Sequence, residues 1–148
     1  MNNRDGLALG ICNGFQALIK LGLVPYGHVK EMTADSPTLT FNNISRHVST
    51  VVDVRFASTL SPWLSACKVG EVYKVPVSHG EGKIVAPISE LEKMKKNGQI
   101  ATQYADLSGD ATMVSPFNPN GSTWAIEGIT SPDGRVLGKM GHSERIGE

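Results

Sequence analysis

The stretch Leu7-Ala8-Leu9-Gly10-Ile11-Cys12-Asn13-Gly14 constrains this chain more than any other. Leu7–Ile11 is almost wholly apolar, the pattern of a short strand. Phe15, Leu18, Ile19 and Leu21–Leu23 then follow at roughly helical spacing until Gly22 and Pro25. Strand must therefore turn into helix within Gly10-Ile11-Cys12-Asn13-Gly14, the cysteine form of the nucleophile elbow G-x-[SC]-x-G. So sharp a turn calls for small flanking residues, which accounts for the glycines, and it lifts the thiol clear of the sheet. A strand apolar on both faces is expected at the centre of a parallel sheet, with neighbours on each side. Those neighbours must come from later strands or from a segment preceding Met1.

Later elements follow from the same reasoning. Val48–Phe56 is rich in β-branched residues and predicts a strand. Glu71–Val77 alternates apolar and polar residues and is expected to stop near Pro76. Ile88–Lys96 predicts an amphipathic helix with Ser89 as N-cap and Asn97-Gly98 as its stop. Its charged run, Glu90–Lys96, forms one polar face, with Glu92 and Lys96 four residues apart. Gln99–Tyr104 reads as a strand and Pro116–Ser122 as a loop. Trp124–Thr130 and Arg135–Met140 flank the turn Ser131-Pro132-Asp133-Gly134 as hairpin strands. The mixture predicts one α/β domain over residues 1–148, without repeats or linkers.

Composition excludes several function classes. Lys+Arg 14 against Asp+Glu 14 gives zero formal charge, so the basic face that nucleic acid requires is not expected. No apolar run approaches the ~20 residues of a membrane helix, and the start lacks a signal-peptide pattern. Two cysteines make no disulfide framework, which points to a reduced, cytoplasmic compartment. They also lack zinc spacing, so a site built on His79 and Glu81 is not expected, and no metal is assigned.

A cysteine nucleophile needs an oxyanion donor and a base. The helix after the elbow aims its N-terminus near Cys12, favouring negative charge there, and the backbone N–H of Asn13 is the natural first donor. Four histidines are available. His142 leaves an apolar strand with Glu144 two residues on, close enough to hold its tautomer. His79 lies in Ser78-His79-Gly80-Glu81-Gly82, whose glycines suggest close backbone approach to a ligand. These two remain alternative bases on the residues alone. His28 and His47 read as surface residues. Cys67 reads as a packing residue in an apolar helical segment after Pro62-Trp63-Leu64.

Four motifs in order narrow the choice: Gly10-Ile11-Cys12-Asn13-Gly14-Phe15-Gln16, Val77-Ser78-His79-Gly80-Glu81-Gly82-Lys83, Asn118-Pro119-Asn120-Gly121-Ser122, and Gly134-Arg135-Val136-Leu137-Gly138-Lys139-Met140-Gly141-His142-Ser143-Glu144-Arg145. Together, over nearly the whole chain, they resemble the glutaminase domains of phosphoribosylformylglycinamidine synthases, which are class I (triad) glutamine amidotransferases. The resemblance implies a flavodoxin-like mixed sheet with flanking helices. It implies a triad of Cys12 as nucleophile, His142 as base and acid, and Glu144 as orienting partner. Gln16 matches a glutamine that helps hold the substrate. Ser78, His79 and Gly80 match a loop whose backbone contacts the amino-acid end of L-glutamine, which makes His79 a pocket residue. The expected partner is a synthetase domain or subunit, and the expected cofactors, ATP and Mg, belong to that partner and not to this chain.

Two departures from the family carry consequences. His-Ser-Glu replaces the usual His-Pro-Glu, keeping the spacing but losing the rigidity of proline. The family's stretch before the nucleophile strand, which supplies a second oxyanion donor, has no counterpart here. The domain therefore reads as truncated at its N-terminus, with weak turnover expected because one such donor is worth ~10²–10³ in rate. A cysteine peptidase of the same architecture and a non-catalytic fragment are the alternatives. Gln16 and Glu144 speak against the peptidase.

Overall fold

The structure is a computed structural model, and it describes residues 6–40, 42, 47–80, 82–114 and 117–142. The elements run β1 (Ala8–Ile11), α1 (Asn13–Leu21), α2 (Leu23–Tyr26), β2 (Thr38–Thr40), β3 (Val48–Phe56), β4 (Val72–His79), β5 (Lys83–Val85), α3 (Ile88–Lys96), β6 (Ile100–Ala105), β7 (Ile126–Thr130) and β8 (Val136–Lys139). Six strands form one mixed sheet in the order β1-β8-β7-β6-β3-β4, and β2 and β5 pair separately. β1 runs parallel to β8, and every other pairing in the large sheet is antiparallel. The expected α/β class with helices flanking a mixed sheet is the one found.

The sheet curls until its far strand meets its near end. The register slips twice between β6 and β7, and such bulges add twist and bend. β4 thereby returns to β8 and the elbow. Lys139 Nζ donates to the Tyr73 hydroxyl at 2.7 Å, the Gly141 backbone lies against Val75, and the His142 N–H donates to Pro76 O at 2.8 Å. Val52, Val54, Val75, Val77, Tyr104 and Ala125 form a core cluster, and Phe15, Ile19, Leu91, Met94, Ile126 and Met140 belong to another.

Several local expectations are corrected. β1 is an edge strand of the described sheet, with Leu7 and Leu9 44% and 42% exposed, because β8 is its one neighbour. β4 does not stop at proline but continues to His79. Pro76 sits on the strand's outer edge, where its missing N–H costs no ladder bond and its carbonyl takes the His142 amide. Helix α3 starts after Pro87, so Ser89 is inside it, and the ion pair on its polar face is Glu90–Lys93. Trp124 precedes β7 in a short 3-10 turn. Cys67 follows the 3-10 turn Pro62–Leu64 outside any helix, and packs, as expected, beside Leu64, Ala101 and Leu137.

Candidate active site

The elbow is built as the spacing requires. Cys12 caps α1 with φ 56° and ψ −107°, a left-handed backbone that costs a non-glycine residue about 1–3 kcal/mol. Gly10 is sterically obligatory, because a Cβ there would lie 2.6 Å from Leu18 and 2.7 Å from the Gly14 backbone. Gly14 is not, since a Cβ on it would meet nothing within 4 Å; it faces open space. The Asn13 and Gly14 amides belong to the first turn of α1, whose N–H groups find no partner within the helix. The Gln16 N–H closes that turn on Cys12 O at 3.1 Å, and the Gln16 side chain lines a cavity of about 120 Å³ beside Thr38 and Leu39.

Residues far apart in sequence meet here through two strands. Parallel pairing of β1 with β8 brings the Cys12 N–H to Lys139 O at 2.9 Å, three residues before His142. Strand β4 approaches from the other side. The Cys12 thiol points at Ser78 O at 3.5 Å, while the His142 N–H is held by Pro76 O at 2.8 Å. Carbonyls two residues apart on one strand edge thus engage both. Ser143 and Glu144 lie outside the described residues.

The Ser78-His79-Gly80 loop is firmly held. Asn42 Nδ2 donates to His79 O at 2.8 Å, its Oδ1 takes the Gly82 N–H at 3.2 Å, and its own N–H donates to Gly80 O at 3.0 Å. His79 Nδ1 faces the same Oδ1 at 3.2 Å, so Nδ1 carries the ring proton. The ring is 4% exposed, and Nε2 has no partner among the described residues. Burial, with a smaller effect from His47, pulls its pKa down to about 4, so the ring is neutral at physiological pH. Gly82 presses on the ring, where a Cβ would come within 2.6 Å of Nδ1. The close approach expected of these glycines is thus, at Gly82, to His79 itself. His47, expected to stand alone on the surface, is exposed but has a partner in the Ser78 hydroxyl, 2.9 Å from its Nε2.

Reasoning from sequence missed the buried groups behind these residues. Glu127 on β7 is fully buried. It accepts from the Thr102 hydroxyl and from the Gly141 N–H at 2.6 Å, and pairs with Lys139 at 3.8 Å. The available signal was one charge placed in each of two apolar hairpin strands, since buried charges occur in pairs. Asn120 and Ser122 both donate to Gly82 O, at 2.8 and 3.2 Å, and Asn120 also donates to the buried Tyr104 hydroxyl. A cavity of about 500 Å³ lies elsewhere, lined by Arg55, Lys95, Gln103, Met113 and Trp124 and by none of the predicted site residues. Among the described residues there is no His, Cys, Asp and Glu cluster fit for a metal, and no helix long and apolar enough to cross a membrane.

A family model described as CobB/CobQ-like glutamine amidotransferase domain matches residues 1–148. Phosphoribosylformylglycinamidine synthase subunit PurQ of Aquifex aeolicus is 37% identical over 95% of this chain and 56% of its own length. The subunit of the same name from Symbiobacterium thermophilum is 38% identical over 98% of this chain and 56% of its own. Among solved structures, PurLQS from Thermotoga maritima is similar with a TM-score of 0.71 and 27% identity, covering 97% of this chain and 54% of that one. The chain spans little more than half the length of these relatives.

Proposed function

The chain belongs to the CobB/CobQ-like glutamine amidotransferase domain family, and from that premise we propose that it carries the glutamine-hydrolysing site of a phosphoribosylformylglycinamidine synthase. Cys12 is the nucleophile and His142 the base. The thiol proton passes to His142 as sulfur attacks the side-chain amide carbon of L-glutamine. The Asn13 N–H stabilises the tetrahedral oxyanion. Collapse breaks the C–N bond, His142 returns the proton, and ammonia leaves a glutamyl thioester. Water then attacks, giving glutamate and the free thiol, with His142 again moving the proton. Glu144 orients His142. Gln16 and the backbone of Ser78, His79 and Gly80 hold the substrate.

The ammonia serves a synthetase domain or subunit, where ATP and Mg support amination of formylglycinamide ribonucleotide in purine biosynthesis in the cytoplasm. PurL and PurS, named with PurQ in the Thermotoga maritima structure, are the corresponding kind of partner.

The observation that carries this reading is the shared edge of β4, where Ser78 O meets the Cys12 thiol and Pro76 O holds the His142 amide. Asn13 is the oxyanion donor assigned in this reading, and one such donor is typically worth ~10²–10³ in rate. The test is covalent labelling with a diazo-ketone glutamine analogue, read by intact mass with L-glutamine as competitor. Glutamine-protected labelling at Cys12 and not Cys67 is expected. Labelling at Cys12 that glutamine leaves unchanged would refute a glutamine pocket in this chain, and preferential cleavage of peptides would favour the peptidase.

A further inference from the structure

Strand β8 ends at Lys139, and three residues later stands the proposed base. What fixes the path between them is a buried carboxylate. Glu127 Oε1 accepts the Gly141 N–H at 2.6 Å, and the Glu127 backbone carbonyl accepts the Met140 N–H at 3.3 Å. The next amide, that of His142, is held from the opposite side by Pro76 O at 2.8 Å. Three consecutive N–H groups are thus tied to two strands, and the Gly141 tie is the one that depends on a side chain.

That side chain is itself held rigidly. The Thr102 hydroxyl donates to Oε2, and Lys139 Nζ lies 3.8 Å from Oε1 while donating to the Tyr73 hydroxyl at 2.7 Å. Gly141 leaves no slack. A Cβ there would lie 2.9 Å from Glu127 Oε1 and 2.7 Å from Val75.

Resting on the proposed role of His142, we propose that Glu127 is a positioning residue for the base, acting through the Gly141 amide. A carboxylate accepting a backbone N–H in a buried interior makes a strong, directional bond. It sets the Met140–Gly141 peptide plane, one residue before His142, while Pro76 O holds the next plane, and so it fixes the direction from which the chain delivers the His142 ring. The alternative is that Glu127 is present only to neutralise Lys139 inside the curled sheet.

Two double substitutions separate these roles. Glu127→Gln/Lys139→Met removes both charges but keeps an acceptor for the Gly141 N–H. Glu127→Leu/Lys139→Met removes both charges and the acceptor. Glu127→Asp, should the leucine variant not fold, keeps the charge opposite Lys139 and withdraws the acceptor by one methylene. The readout is the pH profile of Cys12 alkylation by iodoacetamide, followed by mass spectrometry, with His142→Ala as reference.

Positioning predicts that the leucine and aspartate variants lose at least about tenfold in rate near neutral pH and shift toward the His142→Ala profile, while the glutamine variant stays within about twofold of the parent. If the leucine and aspartate variants follow the parent while His142→Ala does not, Glu127 is a counter-ion and the proposal falls alone. If His142→Ala itself matches the parent, the role of His142 falls and takes this proposal with it.

Discussion

At Cys67, burial and the neighbouring Glu71 carboxylate push the thiol pKa up, so little thiolate forms near neutral pH. Cys12 stands instead at the head of a helix on a raised elbow. Iodoacetamide at pH 7 should therefore modify Cys12 well before Cys67, and peptide mapping that found Cys67 first would contradict this account of the elbow. His79 gives a second prediction. Its folded pKa of about 4 lies below the ~6.5 of an unfolded histidine, so between these values only the unfolded chain takes up the proton. The resulting stability is present above pH 6.5 and lost as pH falls toward 4, on the order of 3 kcal/mol in all. Urea unfolding at pH 7 and 4.5 should show a larger acid loss in the parent than in His79→Gln; equal losses would rule the buried ring out as the cause. The sequence showed His79 beside two glycines, but not that Asn42 fixes its tautomer, because that bond spans a fold-dependent distance.

Among the elements, the segment around Gly82 shows why two motifs occur in one chain. Ser122 Oγ accepts the Ile84 N–H at 3.0 Å and donates to Gly82 O, while Asn120 holds the same carbonyl. Ser122→Ala removes one partner from each of two buried backbone groups, which should cost about 1–3 kcal/mol in chemical denaturation and loosen the Ser78-His79-Gly80 segment. A loss below a few tenths would mean water replaces the hydroxyl. Glu127→Ala should be harsher, about 3–5 kcal/mol, because it takes the buried carboxylate away from both the Lys139 ammonium and the Gly141 N–H. Differential scanning calorimetry of that variant beside Glu127→Gln/Lys139→Met checks it, the double variant being expected to recover most of the loss. Period and turn chemistry predicted β3, α3 and the β7–β8 hairpin well. They failed at Pro76, where edge position decides whether proline ends a strand, and at Ser89, where the backbone entered the helix earlier than the side-chain preference suggested.

The molecule as a whole treats the two edge strands of its sheet differently. One closes: β4 meets β8 and the elbow, and the proposed nucleophile and base sit on that seam. The outer edge of β1, the strand that leads into this seam at Cys12, has no strand on it among the described residues, and Leu7 and Leu9 are half exposed. An apolar run in sequence records that a strand expects neighbours on both sides but not which residues supply them, and among the described residues β8 supplies one of the two. The elbow was legible because its strain is local. The seam was not, because it depends on a curl produced by two register slips between β6 and β7. An uncovered apolar edge is a template for another strand. The chain should therefore associate reversibly, the weight-average mass in sedimentation equilibrium rising with concentration. Leu9→Lys puts a charge on that edge while leaving Cys12 and β8 in place, so it should lower association while the rate of Cys12 alkylation holds. Association unaffected by the lysine would move the contact away from β1, to one of the other exposed apolar patches such as Leu107 or Val114. Association lost together with Cys12 reactivity would mean instead that β1 needs an outer partner to hold the elbow in shape, tying the open edge of the sheet to the chemistry at the seam.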